Sequence, residues 1–521
     1  MAKETANETR RSSGLSAKGG DESVAALQRD LAELGFSCVG APDGIAGRMT
    51  ALAVREFQIY ARLNTVAREL AGDPGALPPR YVDRLRQTRN GKPYRGPITG
   101  IADEPTLAAM AYWKRRRLRC PVVVEAWSMQ GGHPTGERPV AENLWLKDDL
   151  TNTAPRVFVR DFSCYYDLGP GRQRDDLIVV GEYSKAGQGG PQSRPPYHTW
   201  DTCEVTPEAL SGASVAATVR DPEKASTFKV VRAVSEAECR GFLDSINAWD
   251  NVYVSLGPYH WALGASTWNE GGELGGFLSY AAHAYPDAFH DAWGVFGLRA
   301  DRSWGTDGRT LFSTNSRRYM CRIALSQTSD THATVPLDAD DMNLLRTWHW
   351  MYRHTMAART ITDIRRAMWD MARVRIRDLL ATPWGQDLYV SGPGNERVPA
   401  TIGDVFTSEC AVAMIVRWHI RYPAHIVSQG VAGRELRDAL LRAHGARSGK
   451  NVSEWYTEAD LVDALLASPN APATLDDVRK WPSWGSNPRQ YQLDKDAFLP
   501  LSVERGSFHL DASKLPAPVS V

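Results

Sequence analysis

The segment SEAECRGFLDSINAWDNVYVSLGPYHWALG, residues 235–264, gathers side-chain types that could break a glycosidic bond. Such a reaction needs a general acid to protonate the leaving oxygen and a second carboxylate to steady the oxocarbenium-like transition state or activate water. Glu238, near the end of a helical stretch, is the expected acid; Asp250, after the Asn247-Ala248-Trp249 turn, is the expected second carboxylate. Ser255, in a short β-like run before Gly257-Pro258, could orient the attacking water through its hydroxyl. Glu236 is the alternative acid, two positions away and therefore on another helix face. Asp244, Glu270 and Glu273 are further candidates for the second carboxylate, and Trp249, Tyr259, His260 and Trp261 could line a sugar subsite.

Two other chemistries compete. Zinc hydrolysis would draw on His260, His283, His290, His349 and His354, but the chain contains no HExxH, and His349 and His354 stand five apart, which points their rings to different helix faces. A cysteine nucleophile would be Cys239, which lacks a Gly-rich or oxyanion signal beside it. No metal and no other cofactor is therefore expected.

These residues must be positioned by a long chain, 521 residues, which predicts several domains. Residues 1–20 are polar and read as a disordered tail. From 21 to 118 the pattern is helical. Val24, Leu27, Leu31 and Leu34 share a face and Gly35 follows as a C-terminal cap. After the Pro42-Asp43-Gly44 turn, a second helix is expected from Thr50 as N-cap, with Leu52, Val54 and Phe57 on its apolar stripe. The string GIAGRMTALAVREFQ at 44–58 returns as GIADEPTLAAMAYWK at 100–114, with Thr50 over Thr106 and Phe57 over Trp113. Either two copies of one helical unit or one unit with a helical insertion would produce this repeat. The basic run Lys114–Arg117 ends a helix, where cations favour the dipole.

Residues 120–225 read as a β-rich middle domain, with runs at 122–124, 156–159 and 177–180 and a loop at 185–196. Residues 228–470 read as helical, with long segments at 340–381 and 404–420. In the latter, Val412, Met414, Ile415 and Trp418 are apolar nearly all round, as in a buried central helix, and Glu409 is either a supporting partner or solvent-facing. Residues 471–521, through Trp481, Trp484 and Pro516, form a proline-rich extension expected to wrap the helical domain or lie partly disordered.

The string LQRDLAELGF…PDGIAGRMTALAVREFQ resembles the peptidoglycan-binding domain of wall hydrolases, matching its pattern at Leu27, Gln28, Leu31, Leu34, Gly35, Asp43, Gly44, Gly47, Thr50, Ala53, Val54, Phe57 and Gln58. The resemblance implies a small three-helix bundle that binds wall polymer, with Asp43, Gly44, Thr50, Phe57 and Gln58 as the wall-binding candidates. The order Glu238, Asp250, Ser255-Leu256-Gly257 resembles the Glu, Asp, Thr-x-Gly order of phage-type enzymes in the lysozyme superfamily, with a longer Glu-to-Asp spacing and Ser in place of Thr. Together these imply a multidomain α+β protein: a small helical peptidoglycan-binding module, a β-rich middle and a mainly α lysozyme-like C-terminal domain. The implied activity is muramidase-like cleavage of the glycan strand. A zinc amidase or peptidase, or a non-catalytic wall-binding subunit, is the alternative.

Lys+Arg and Asp+Glu stand at 61 each, so bulk charge recruits neither nucleic acid nor an anionic membrane. Seven scattered cysteines without a CxxC pair suggest neither a disulfide framework nor a zinc ribbon. Seventeen Trp and eighteen Tyr leave some rings for stacking on sugars, most being core. No run of 18 apolar residues and no apolar signal core at the N-terminus occur. The expectation is synthesis in the cytoplasm and delivery to the wall by a secretion or phage-release apparatus.

Overall fold

The computed structural model describes residues 20–130 without 74, 133–143, 156–167, 203–246, 254–263, 272–300, 344–383, 396–422, 457–472 and 491–513 without 499. It also describes short pieces at 145, 178–183, 197–198, 323–326, 334–336, 389–391, 426, 475–479 and 515. The chain divides into two compact units, 1–121 and 122–521. The fold is mixed helix and strand, multidomain α+β.

In the first unit, α1 (Glu22–Glu33) is opened by Asp21, whose carboxylate accepts the Ser23 amide, and Gly35 follows its C-cap with φ +92°, a backbone conformation that suits glycine. Helix α2 (Arg48–Ala61) starts three residues earlier than expected. Gly47 is the N-cap, and Thr50 turns inward because its hydroxyl is held from α1 rather than by its own helix end. Strands β1 (Thr65–Glu69) and β2 (Leu85–Arg89) then pair antiparallel. Helix α3 (Glu104–Arg116) follows, capped by Asp103. Strand β3 (Leu118–Arg119) completes a sheet in the order β2-β1-β3. The insertion between the two halves of the repeat is thus strands, not helix. Leu85 and Val66 are buried, so the hairpin contributes to the same core as the helices. At its centre Phe57 meets Phe36 at 5.6 Å and Trp113 at 5.2 Å, both edge to face.

The second unit opens on an antiparallel meander: β4 (Val122–Trp127), β5 (Arg156–Asp161), β6 (Ile178–Tyr183) and β7 (Tyr197–His198), in that order. The helices follow as α4 (Pro222–Cys239), a hairpin β8 (Ser255–Leu256) and β9 (Trp261–Ala262), then α5 (Gly272–Ala284), α6 (Trp348–Thr360), α7 (Thr362–Leu380) and α8 (Glu409–Arg421). The expected boundary near 225 is no boundary between compact units. The Tyr352 hydroxyl of α6 donates to Asp161 of β5 at 2.8 Å, and the Trp348 amide donates to the Trp145 carbonyl at 3.0 Å. β4 is buried along its whole length, so the sheet needs the helices to cover it.

Helix α8 is buried from Glu409 through Ile420, including Val412, Met414, Ile415 and Trp418. The C-terminal stretch wraps the helices over its described part: Phe498 packs on Phe228 at 4.7 Å, and the Asp511 amide donates to Thr227 Oγ1 at 2.6 Å. Trp481, Trp484, Pro516 and the 185–196 loop lie outside the described residues, as does the tail 1–19. Among the described residues no helix is long and apolar enough to cross a membrane.

Candidate functional site

Two loops of the first unit are built alike. Gln28 of α1 faces the first loop: its Nε2 lies 2.8 Å from Asp43 Oδ1, 3.1 Å from the Ile45 carbonyl and 3.0 Å from Thr50 Oγ1. Its Oε1 accepts the amides of Asp43 and Gly44, at 3.0 and 2.9 Å. Gln58 of α2 does the same for the second loop. It donates to the Ile101 carbonyl and to Thr106 Oγ1, each at 3.0 Å, and accepts the amides of Thr99 and Gly100, each at 2.9 Å.

Gly44 and Gly100 have φ of +72° and +76°, and each lies against the start of the helix that carries its glutamine. A Cβ on Gly44 would come within 2.8 Å of the Gly20 backbone, and one on Gly100 within 2.8 Å of the Ala51 carbonyl. The repeat is therefore a pair of overlapping helix–loop–helix units that share α2, the second opened out by the β1–β2 insertion. Each loop turns one isoleucine to solvent, Ile45 at 59% and Ile101 at 66% exposure.

Among the wall-binding candidates, Asp43 is exposed and Gly44 shapes the loop. Thr50, Phe57 and Gln58 are buried, so they hold the module together and do not reach a ligand. Asp43 is locked as well: the Ile45 amide and Gln28 both donate to it and hold its carboxyl below the usual range. Gln58→Ala would leave the Thr99 and Gly100 amides without their acceptor. We expect a stability loss of about 2–3 kcal/mol for the first unit, read by urea denaturation; an unchanged midpoint would refute the locking role.

In the second unit the structure gives the expected carboxylates partners that the sequence did not reveal. Glu238 forms an ion pair with Arg417 of α8, at 6% and 1% side-chain exposure. Glu236, which the helix geometry places on a different face from Glu238, is also buried. Arg232 donates to it at 2.6 Å and also lies 3.0 Å from Glu204, while the Tyr491 hydroxyl donates to it at 3.3 Å. Asp244 pairs with Arg359, and Glu273 with Arg375 at 3.1 Å. Glu409 is likewise buried, paired with Lys229 at 3.0 Å. Asp250, Trp249 and Glu270 lie outside the described residues.

The expected helix-then-hairpin order is present, and the Cys239 thiol at the end of α4 contacts the Pro258 carbonyl at 3.7 Å. Ser255 is buried in β8. Tyr259 is fully buried and Trp261 stacks on Phe277 at 5.0 Å, so these two rings belong to the core and do not line a sugar subsite. His260 is half-buried, with Nε2 at 3.3 Å from the Ser245 carbonyl.

Burial pushes the Cys239 thiol up to about 12, the opposite of what a thiolate nucleophile needs. His349 packs edge-on to Trp145 at 4.2 Å, and His354 accepts the Trp293 indole N–H at 3.0 Å. Among the described residues, no three His, Cys, Asp or Glu side chains are grouped to hold a metal. The buried arginines are what sequence reasoning missed; Arg417, inside the otherwise apolar run AVAMIVRWHI, was the visible signal.

No curated protein and no solved structure matches the chain. Residues 20–66, which hold α1, the first loop and α2, match the model of the family described as "Putative peptidoglycan binding domain". The first unit thus carries a peptidoglycan-binding domain, and cell-wall peptidoglycan is its partner.

Proposed function

We propose that the chain is a wall-degrading protein of endolysin or secreted-effector type, in which the N-terminal module holds the polymer and the second unit cleaves the glycan strand as a muramidase-like hydrolase. The observation that carries the reading is the peptidoglycan-binding domain at 20–66. It is supported by the helix end of α4 lying against the β8–β9 hairpin, the order in which Glu238, Asp250 and Ser255 occur. A second reading, a wall-binding protein without catalysis, is favoured by a specific observation: Glu236, Glu238, Asp244 and Glu273 are all engaged by arginines.

Digestion of purified sacculi separates these readings. Glycan cleavage is expected to release soluble fragments with new reducing ends, identified by mass. New amino groups without new reducing ends would replace the glycosidase with an amidase or peptidase. Intact sacculi that carry the protein down on centrifugation would establish the binding-only reading.

A further inference from the structure

In the first unit, a groove of about 560 Å³ is lined by Arg68, Glu69, Arg86, Gln87, Arg115 and Arg117 among others. It lies on the strands inserted between the two halves of the repeat and on the end of α3. Arg68 and Arg86 are direct cross-strand partners in the β1–β2 register, an arrangement in which like charges repel. All four arginines are exposed, and none is ion-paired with a carboxylate in the described structure. Glu69, the acidic residue of the lining, is already taken by Arg119. The helix dipole accounts for Arg115 and Arg117 at the end of α3, but it gives no reason for Arg68 facing Arg86.

In a chain of zero net charge, four exposed guanidiniums without a carboxylate partner around one concavity form a local positive field that an anionic ligand would relieve. We propose that this groove is a second binding site of the wall-binding unit, outside the 20–66 match, and that it takes an oxyanion borne on wall polymer. Guanidinium forks suit both carboxylate and phosphate. The two sources are the stem-peptide carboxylates of peptidoglycan and the phosphates of polymers attached to it. The wall as the carrier rests on the functional reading above, while the oxyanion site itself does not.

The test uses full-length protein and three probes: labelled polyglutamate, labelled polyphosphate, and sacculi with or without acid removal of phosphate polymers. The variants are Arg68→Gln/Arg86→Gln and Arg115→Gln/Arg117→Gln. The control is Arg116→Gln, which lowers charge on the same helix end without lining the groove. Each double variant is expected to lose about tenfold or more in affinity at low salt, the equivalent of one charge-assisted contact or more. The melting temperature of each double variant should stay within a few degrees of the parent, because all four side chains are exposed.

Loss on polyglutamate and on stripped sacculi identifies carboxylate as the ligand; loss confined to polyphosphate and unstripped sacculi identifies phosphate. Double variants that bind every probe like the parent overturn the site, as does an Arg116→Gln loss equal to theirs. Parent protein that binds the soluble polyanions through these arginines but ignores sacculi overturns the wall reading and leaves the site standing.

Discussion

Replacing Glu238 with Gln is expected to destabilise the second unit by about 3–5 kcal/mol, because Arg417, at 1% exposure, would lose the carboxylate it is ion-paired with. Glu236→Gln, whose carboxylate receives Arg232 and Tyr491, should also destabilise the unit, but by less, because Glu204 still lies 3.0 Å from Arg232. Helix periodicity alone makes Glu236 a mild control; its burial reverses that expectation. The double replacement Glu238→Leu/Arg417→Met removes both charges and should recover most of the loss, since well-packed apolar side chains can replace a buried pair at little cost. Denaturant unfolding followed by near-ultraviolet circular dichroism reads both effects.

Wall lysis by the same proteins then separates structure from chemistry. A double variant that is stable and still lyses walls assigns Glu238 to packing alone. One that is stable and has lost about 10² to 10⁴ in rate, as removal of a general acid does, assigns it to the reaction. An unchanged unfolding midpoint for Glu238→Gln would remove the ion pair from the account.

Acid is expected to weaken the second unit well above the range where carboxylates titrate. His354 is buried, and its hydrogen bonds fix one neutral tautomer: Nδ1 accepts from Trp293 at 3.0 Å, while Nε2 faces the Leu345 carbonyl at 3.3 Å. Protonating Nδ1 would set two donors against each other. Burial, with Arg353 nearby, pushes this imidazole down to about 4, whereas in the unfolded chain it titrates near 6.5. His349 is shifted in the same direction by burial and by Arg353.

Between those two values the unfolded chain binds a proton that the folded one refuses. Stability is therefore full above about pH 6.5 and declines as pH falls toward 4, by about 3 kcal/mol for His354. Thermal melts from pH 7.5 to 4.5 should show this slope, and His354→Gln should start lower at pH 7.5 but fall less steeply. A flat parent profile down to pH 5 would contradict the buried neutral histidines.

The sequence by itself determined the wall-binding module and much of the secondary structure. Leu27-Gln28, Asp43-Gly44 and Thr50 could be read because the lock they form joins residues only 15 to 22 positions apart, and a turn, a helix face and a capping glycine are local matters. The strands at 122, 156 and 178 and the central helix at 409–421 were legible for the same reason, as local apolar runs.

Tertiary structure decided everything that depends on a partner. Periodicity reports that a side chain is buried, not what it is buried against, so the pairing of arginines with Glu236, Glu238, Asp244 and Glu273 was invisible. So was the second lock, in which Gln58 reaches 42 residues to Gly100 across an inserted hairpin. The opposition of Arg68 and Arg86 arises only once strand register is set. Pairings between distant segments are chosen by the packing of the whole unit, which balances desolvated charge against charge; no stretch of the sequence carries that balance alone.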